Sequence, residues 1–196
     1  MNSIENKTSP TPTPPSGGRG ANIFAISGSL RSGSSNHAIL NHIGDLLPAD
    51  VNYFIYDSLA SIPPFDPGLD NEHPPEAVAE LRNHLAMADA IIICTPEYAF
   101  GVPGQLKNAL DWLVGSSSFV DKPVSLITAS LGGEACHAAM QLILGALSAK
   151  LTPEATLLVQ FIRSKINGDG VITDSGTKEQ IRKVVEELAK IYEKLS

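Results

Sequence analysis

The sequence predicts a doubly wound α/β domain, in which helices cover both faces of a parallel sheet. Short apolar segments alternate with segments of helical periodicity along the chain. The short segments are apolar throughout, as expected for strands that are buried on both faces of a sheet. Several of them end in loops rich in Gly, Ser and Pro, at the edge where ligands bind in such sheets.

The first half of the chain contains two predicted strands and two predicted helices. Residues 23–26 (IFAI) are a short apolar run, and residues 38–47 carry apolar side chains at helical spacing. Residues 51–56 (VNYFIY) are rich in β-branched and aromatic residues, which favours a second strand. The segment 57–75 contains five prolines and is predicted to be a loop. A helix is predicted over 76–87.

The second half continues the alternation. Its predicted elements are the strand 90–94, the helix 105–114, the strand 124–129, the helix 135–149, the strand 156–161 and the final helix 178–195. In the helix 105–114, Leu106, Leu110 and Leu113 form an apolar stripe that is expected to be buried. Lys107 and Asp111 have the i,i+4 spacing of a helical ion pair.

The composition indicates one domain preceded by a tail. A chain of 196 residues with 43% hydrophobic content can bury one core, and residues 21–196 are predicted to form it. Residues 1–20 are polar, rich in Pro, Thr, Ser and Gly, and without periodicity, which predicts a disordered tail. This tail also lacks the apolar segment of a secretory signal.

Charge, hydropathy and cysteine usage exclude several classes of partner. The formal net charge of −7 argues against nucleic acid, which requires clustered Lys and Arg. No segment approaches the roughly 18 apolar residues that a membrane span needs, so no membrane partner is expected. Cys94 and Cys136 are predicted to be free thiols of a cytoplasmic protein. Neither they nor the histidines have the spacing of metal ligands, so no metal is expected.

Residues 27–36 (SGSLRSGSSN) have the layout of a phosphate cradle between a strand and a helix. The start of a helix offers unpaired N–H groups and a positive dipole end, and Arg31 adds a permanent charge. The same residues also suit ordinary helix capping and a glycine turn. The loop has neither a Walker nor a dinucleotide fingerprint. It is therefore predicted to hold a terminal phosphate without transferring it.

Two further loops are predicted to lie at the same edge of the sheet. Residues 95–104 (TPEYAFGVPG) combine stiffening prolines, permissive glycines and two aromatic residues, Tyr98 and Phe100, that suit a flat conjugated ligand. A rigid turn whose aromatic rings fold onto the core is the alternative. Residues 130–133 (SLGG) offer backbone N–H groups to the polar edge of a heterocycle, although a tight turn also explains the two glycines.

The pairing of GSLRSGSSN at 28–36 with PEYAFGVPGQLKNALDW at 96–112 resembles the NAD(P)H-dependent FMN reductase family, which includes quinone, chromate and azo-dye reductases. The resemblance covers roughly residues 22–192. It implies a flavodoxin-like fold with five parallel strands in the order 2-1-3-4-5. It also implies FMN as cofactor, NADPH or NADH as co-substrate, and a homodimer or homotetramer.

The resemblance implies three groups of FMN-binding residues. The first loop would bind the phosphate, and the second and third loops would line the ring. These residues are Ser29, Arg31, Ser34, Ser35, Asn36, Pro96, Glu97, Tyr98, Ala99, Phe100, Gly101, Ser130, Gly132 and Gly133. Family members commonly have Asn where this chain has Ala99, so an amide contact is lost there. No catalytic side chain is assigned, because bound flavin carries the redox chemistry.

The function implied is an FMN-dependent oxidoreductase. It would pass hydride from the nicotinamide to the flavin, and electrons onward to quinones or similar acceptors such as free flavin, azo dyes or chromate. Two alternatives stay open on the sequence. One is a flavodoxin-type electron carrier, which would be reduced by protein partners rather than by a nicotinamide. The other is a redox-responsive binding protein.

Overall fold

A five-stranded parallel sheet forms the centre of the protein. The computed structural model describes residues 20–193, and the predicted tail lies outside the described residues except for Gly20. The strands are β1 (Asn22–Ser27), β2 (Asn52–Tyr56), β3 (Ala90–Thr95), β4 (Val124–Ala129) and β5 (Thr156–Val159). Their order is β2-β1-β3-β4-β5 and all pairs are parallel, which confirms the predicted fold class and strand order.

Among residues 20–193, five α-helices cover the two faces of this sheet. They are α1 (Ser35–Leu46), α2 (Glu76–Met87), α3 (Gly104–Asp111), α4 (Glu134–Ala146) and α5 (Ser175–Glu193). Successive strand residues point to opposite faces, so Phe24 and Ile26 pack with α2, α3 and α4, while Ile23 and Ala25 pack with α1 and α5. Within residues 20–193, no helix combines the length and apolarity that a bilayer span requires.

The helix α3 is held by its buried face and by its ion pair. Leu106, Leu110 and Leu113 are buried, as the apolar stripe predicts. The Lys107 ammonium lies 2.5 Å from the Asp111 carboxylate. Trp112 follows the helix with an exposed fraction of 0%, and its indole N–H donates to the Pro63 carbonyl oxygen at 2.8 Å. Trp112 is therefore a core residue.

The proline-rich loop 57–75 is tied to the same helix through polar side chains. Gln105 Nε2 donates to the carbonyl oxygens of Leu59 and Ile62, at 2.8 Å each. The Asn108 amide bonds the loop backbone through its nitrogen and its oxygen. A single 3₁₀ turn at Leu59–Ser61 interrupts the loop. The loop thus has one fixed course although the sequence predicts no regular structure for it.

Several element ends differ from the sequence prediction for local reasons. The helix α4 ends at Ala146, three residues early, because the chain turns at Ser148 with a φ of +58°. The strand β5 ends at Val159 because Phe161 has a φ of +53°. The helix α5 begins at Ser175 rather than 178, because the Asp174 carboxylate accepts the Thr177 N–H at 2.7 Å. The helix α3 ends at Asp111 rather than 114 and continues as a turn.

Candidate functional site

A cavity of about 360 Å³ lies at the carboxyl edge of the sheet. Its walls come from the segments that follow β1, β3, β4 and β5. The lining residues are Ser29, Arg31, Ser34, Ser35, Asn36, Pro96, Glu97, Tyr98, Ala129, Ser130, Leu131, Phe161, Ile162 and Arg163. Its position is the one expected for ligands in doubly wound sheets.

The first loop presents unpaired donors to this cavity. Ser34 caps α1, and its hydroxyl oxygen accepts the His37 N–H at 3.2 Å. The backbone N–H groups of Ser35 and Asn36, at the start of α1, have no acceptor among the described residues. Together with the Arg31 guanidinium they form a donor set suited to an anion. Ser34 alone serves the cap, so helix capping leaves the other donors of this loop free.

Hydrogen bonds among Ser27, Ser34 and His37 hold the first loop in place. His37 Nδ1 lies 3.0 Å from Ser34 Oγ and 3.3 Å from Ser27 Oγ. The Ser27 hydroxyl also donates to the Ser29 carbonyl oxygen at 3.1 Å. Burial lowers the pKa of His37. The neutral imidazole is thus the favoured form beside these hydroxyl groups.

Asn36 is oriented by a buried thiol. Its side chain is almost fully buried, and Cys94 Sγ lies 3.2 Å from Asn36 Oδ1. Cys94 is fully buried in β3, and burial raises its thiol pKa, so the S–H group is retained as a donor. This contact occupies the amide oxygen, and the amide nitrogen has no hydrogen-bond partner among the described residues. Cys94 and Cys136 are both free, as predicted.

The second loop folds into a tight hairpin. Tyr98 and Gly101 exchange two backbone hydrogen bonds of 3.0 Å each. Between them, Ala99 and Phe100 have φ values of +48° and +61°, which is the conformation of a type I′ turn. The turn holds the Phe100 ring outward with an exposed fraction of 85%. The aromatic rings therefore do not fold onto the core.

The first and second loops are in close contact at Gly28. A Cβ atom at this position would lie 2.3 Å from Thr95 Oγ1, so only glycine allows the approach. The Gly28 N–H also donates to the Cys94 carbonyl oxygen at 2.8 Å. The two loops consequently form one continuous wall.

Glu97 joins the second loop to the third. Its carboxylate accepts the Cys136 N–H at 2.9 Å and the Gly133 N–H at 3.2 Å, at the start of α4. A carboxylate at this position is favoured by the helix dipole. Gly133 has a φ of +116°, and a Cβ there would lie 2.8 Å from Leu158. The contact between the second and third loops therefore depends on glycine at position 133 and on the carboxylate of Glu97.

A fourth wall, formed by residues 161–163, follows β5 and is not among the loops that the sequence predicts for the site. The Phe161 N–H donates to the Leu131 carbonyl oxygen, and the Ile162 N–H donates to that of Ser130, both at 3.2 Å. These bonds attach Phe161, Ile162 and Arg163 to the third loop. The sequence predicts a strand over 156–161, so these residues were not assigned to the site. Their position at the carboxyl end of a strand could have indicated it, because ligands bind at that edge of the sheet.

The structure brings nine of the fourteen predicted site residues into the cavity wall. They are Ser29, Arg31, Ser34, Ser35, Asn36, Pro96, Glu97, Tyr98 and Ser130. Five others, Ala99, Phe100, Gly101, Gly132 and Gly133, lie outside its lining, at the hairpin tip or at the junction with α4. The lining residues outside the predicted list are Ala129, Leu131, Phe161, Ile162 and Arg163, of which Leu131 belongs to the predicted third loop.

The cavity wall has a polar part and a less polar part. The first loop supplies hydroxyl groups, a guanidinium and unpaired N–H groups, whereas Tyr98, Leu131 and Phe161 supply apolar surface. The backbone N–H groups of Leu131 and Gly132 have no acceptor within the described part of the chain. Such a cavity suits a flat heterocycle with a phosphorylated tail.

Comparisons with known proteins agree with this arrangement. Residues 21–163 match the model of the NADPH-dependent FMN reductase family. A quinone reductase of Escherichia coli (strain K12) is 32% identical over 166 residues, covering 81% of this chain and 88% of the relative. A 2-hydroxy-1,4-benzoquinone reductase of a Burkholderia species is 28% identical over 173 residues, covering 85% of this chain and 93% of the relative.

A solved structure gives the same picture. The flavoenzyme NAD(P)H:(acceptor) oxidoreductase from Paracoccus denitrificans aligns with a TM-score of 0.74 at 26% sequence identity. The alignment covers 89% of this chain and 98% of the Paracoccus chain. The similarity therefore extends over most of both chains.

Proposed function

This chain belongs to the NADPH-dependent FMN reductase family, and we propose that it passes electrons from NADPH or NADH to quinones and related small acceptors at the cavity described above. It is an FMN-dependent oxidoreductase. One observation carries the proposal: the donor residues of the first loop and the side chains of Tyr98, Leu131 and Phe161 line a single cavity.

The donor set of the first loop supports an FMN phosphate at this end of the cavity. Arg31 would give the phosphate a charge-assisted hydrogen bond, and the free N–H groups of Ser35 and Asn36 would add two more. The serine hydroxyls and the Asn36 amide nitrogen complete a neutral shell around it. The absence of a lysine in this loop suits a phosphate that is held and not transferred.

The second and third loops would position the ring of the cofactor. Bound FMN supplies hydride acceptance and electron donation, which no protein side chain can provide. The N–H groups of Leu131 and Gly132 would donate hydrogen bonds to its polar edge and stabilise negative charge there. Glu97 would act only by holding these two loops in register, because its carboxylate is occupied by two N–H groups. No side-chain acid or base is assigned.

The test is a comparison of reductants and acceptors with purified protein. We expect the FMN-loaded protein to show a flavin spectrum and to oxidise NADPH or NADH when benzoquinone is added. Colourless protein that takes up no FMN and oxidises neither reductant would overturn the proposal. Rapid flavin binding with very slow reduction by both nucleotides would instead indicate an electron carrier.

The Arg31→Ala variant tests the phosphate end directly. Loss of a charge-assisted hydrogen bond costs about 1.5–3 kcal/mol, so the FMN dissociation constant should rise by roughly tenfold to a hundredfold. Flavin fluorescence quenching measures this constant. Riboflavin, which lacks the phosphate, provides the control, because its affinity should be the same for both proteins. An unchanged FMN affinity would remove Arg31 from the site.

We also infer a homodimer or homotetramer and a cytoplasmic location. The first inference is supported by the exposed side chains of Tyr98, Phe100, Leu131 and Phe161 near the mouth of the cavity, since clustered apolar surface is typical of interaction sites. The second is supported by the two free thiols. Size-exclusion chromatography with light scattering tests the oligomeric state, and a monomer at micromolar concentration would contradict it.

A further inference from the structure

The arginines of the described region fall into two groups. Arg82 and Arg182 are bound to carboxylates, Arg82 to Asp70 and Arg182 to glutamates of its own helix. Arg31 and Arg163 have no hydrogen-bond or ion-pair partner for their guanidinium groups among residues 20–193. Both of these arginines line the same cavity. The chain as a whole carries a net charge of −7, so this concentration of free positive charge is local.

The two arginines approach the cavity from different sides. Arg31 follows β1 and Arg163 follows β5, and the strand order β1-β3-β4-β5 places three strand spacings between them. At about 4.8 Å per spacing, the ends of β1 and β5 are about 14 Å apart across the sheet. A phosphate held by the N–H groups at the start of α1 is therefore adjacent to Arg31, which leaves Arg163 for a second anionic group.

The carboxylate in the cavity wall does not neutralise Arg163. Glu97 is the acidic residue in the lining, and its two oxygens accept the N–H groups of Gly133 and Cys136. The backbone that carries Arg163 is also fixed, because its neighbour Ile162 is buried and bonded to Ser130. Arg163 is thus an exposed, unneutralised cation on a rigid segment, with the partly exposed ring of Phe161 two residues before it.

We propose that Arg163 binds a phosphate group of the nicotinamide dinucleotide. The inference rests on the proposed function, which requires such a co-substrate to reach the cavity. A cavity of about 360 Å³ is small for two nucleotides, so we expect the adenosine part of the dinucleotide to lie outside it, beside the exposed side chains of Arg163 and Phe161. The dinucleotide co-substrate carries a diphosphate in every turnover, whereas the quinone acceptors of the proposed function are uncharged. The free guanidinium therefore recognises the reductant.

The test uses the FMN-loaded full-length protein and two nucleotide fragments. Binding of 2′,5′-ADP and of 5′-AMP is measured by isothermal titration calorimetry for the parent, for Arg163→Gln and for Lys165→Gln. Lys165 lies on the same segment but outside the cavity lining. Because Lys165→Gln also removes one positive charge, it is a matched control. We expect Arg163→Gln to weaken 2′,5′-ADP binding about tenfold or more, with Lys165→Gln within about twofold of the parent.

The fragments identify which phosphate is bound. If 5′-AMP binding is unchanged in Arg163→Gln, the arginine contacts the 2′-phosphate, and the KM for NADPH rises while that for NADH does not. If both fragments weaken equally, it contacts the 5′-phosphate, and both KM values rise. In either case kcat stays within about twofold of the parent. Both results support the proposal.

Three results would overturn it. The first is unchanged 2′,5′-ADP affinity in Arg163→Gln, and the second is no detectable binding of either fragment to the parent. The third is loss of FMN from Arg163→Gln without loss of fragment binding, which would assign the arginine to the cofactor. Failure of the proposed function is distinguishable, because in that case the parent itself would oxidise neither NADPH nor NADH.

Discussion

Ala99 has a φ of +48°, in the left-handed region where a Cβ atom crowds the neighbouring carbonyl oxygen. Phe100, the next residue, is also left-handed, so both central positions of the type I′ turn are occupied by residues other than glycine. Asn tolerates this conformation better than Ala because its amide bonds to the local backbone. The Asn that the family resemblance implies at this position would therefore suit the backbone conformation found here.

The Ala99→Asn variant should therefore be more stable than the parent. Left-handed backbone costs about 1–2 kcal/mol for ordinary residues, and Asn should recover about 0.5–1 kcal/mol of it. For a chain of this size the melting temperature should rise by about 1–4 °C. Differential scanning calorimetry measures the shift. Ala99→Val is the matched control and should lower the melting temperature, because a β-branched side chain fits this region poorly.

His37, which contacts the first loop, makes the stability of the protein depend on pH. Burial lowers its pKa, so the unfolded chain binds more protons than the folded chain as the pH falls below the ordinary value of about 6.5. The neutral form therefore contributes stability that is present above pH 6.5 and is lost as the pH falls through the pKa of the folded state. His137, which lies 2.9 Å from Thr128 Oγ1, follows the same rule.

We expect the free energy of unfolding to fall between pH 7 and pH 5, and to fall less steeply in His37→Gln. Urea titrations at pH 7, 6 and 5 measure the slope. His137→Gln should reduce the slope in the same direction, since burial also lowers the pKa of His137. A slope in His37→Gln that equals that of the parent would show that the imidazole is not desolvated in solution.

At the scale of elements, α3 serves as the anchor for the proline-rich loop. Its polar face carries Gln105 and Asn108, and Trp112 follows directly. Asn108 binds the loop from both ends of its amide, because Phe65 N–H donates to its oxygen at 2.7 Å and its nitrogen donates to Pro63 at 2.9 Å. Gln105 and Asn108, which belong to the motif 96–112, therefore fix the proline-rich loop and do not line the cavity.

Asn108→Ala should destabilise the protein by about 1–3 kcal/mol, because it leaves loop N–H and carbonyl groups without partners. Chemical denaturation gives this value directly. Lys107→Ala is the control on the same helix. Its exposed ion pair is worth at most about 1 kcal/mol, so a smaller effect is expected. Equal effects of the two substitutions would mean that the loop is not held by Asn108.

Glu97 fixes the second loop to the third, as Asn108 fixes the proline-rich loop to α3. Its negative charge lies at the start of α4, where the unpaired N–H groups of the helix stabilise it. The Ser130 hydroxyl also lies 3.4 Å from the Glu97 carbonyl oxygen, so the connection involves the backbone as well. The second and third loops are consequently one unit, and a ligand that orders one of them also orders the other.

At the scale of the whole molecule, the sequence predicted the sheet and its helices because apolar runs and helical periodicity are local patterns. The residues of the first loop were also predictable, since capping residues, glycines and an arginine occur together there. The fourth wall was not, because Phe161 leaves the strand through bonds to Leu131, which is distant in sequence. Cys94 and His37 were likewise hidden, as their roles depend on contacts with Asn36 and Ser34.

The cavity draws its walls from the segments that follow four of the five strands, so a ligand bound there contacts four separate parts of the chain. Such a ligand stabilises the folded state by mass action, by about 2.7 kcal/mol at a concentration one hundred times its dissociation constant. For a chain of this size, FMN at that ratio should raise the melting temperature by about 5–10 °C.

Riboflavin at the same concentration should give a smaller shift, because it lacks the phosphate that the first loop is proposed to bind. The difference between the two shifts measures how much the first loop contributes to binding. In Arg31→Ala the difference should shrink, since the charge-assisted hydrogen bond is gone while the contacts to the ring remain. Equal shifts for FMN and riboflavin with the parent protein would mean that the unpaired N–H groups at the start of α1 do not hold the phosphate, and that the ring alone anchors the cofactor.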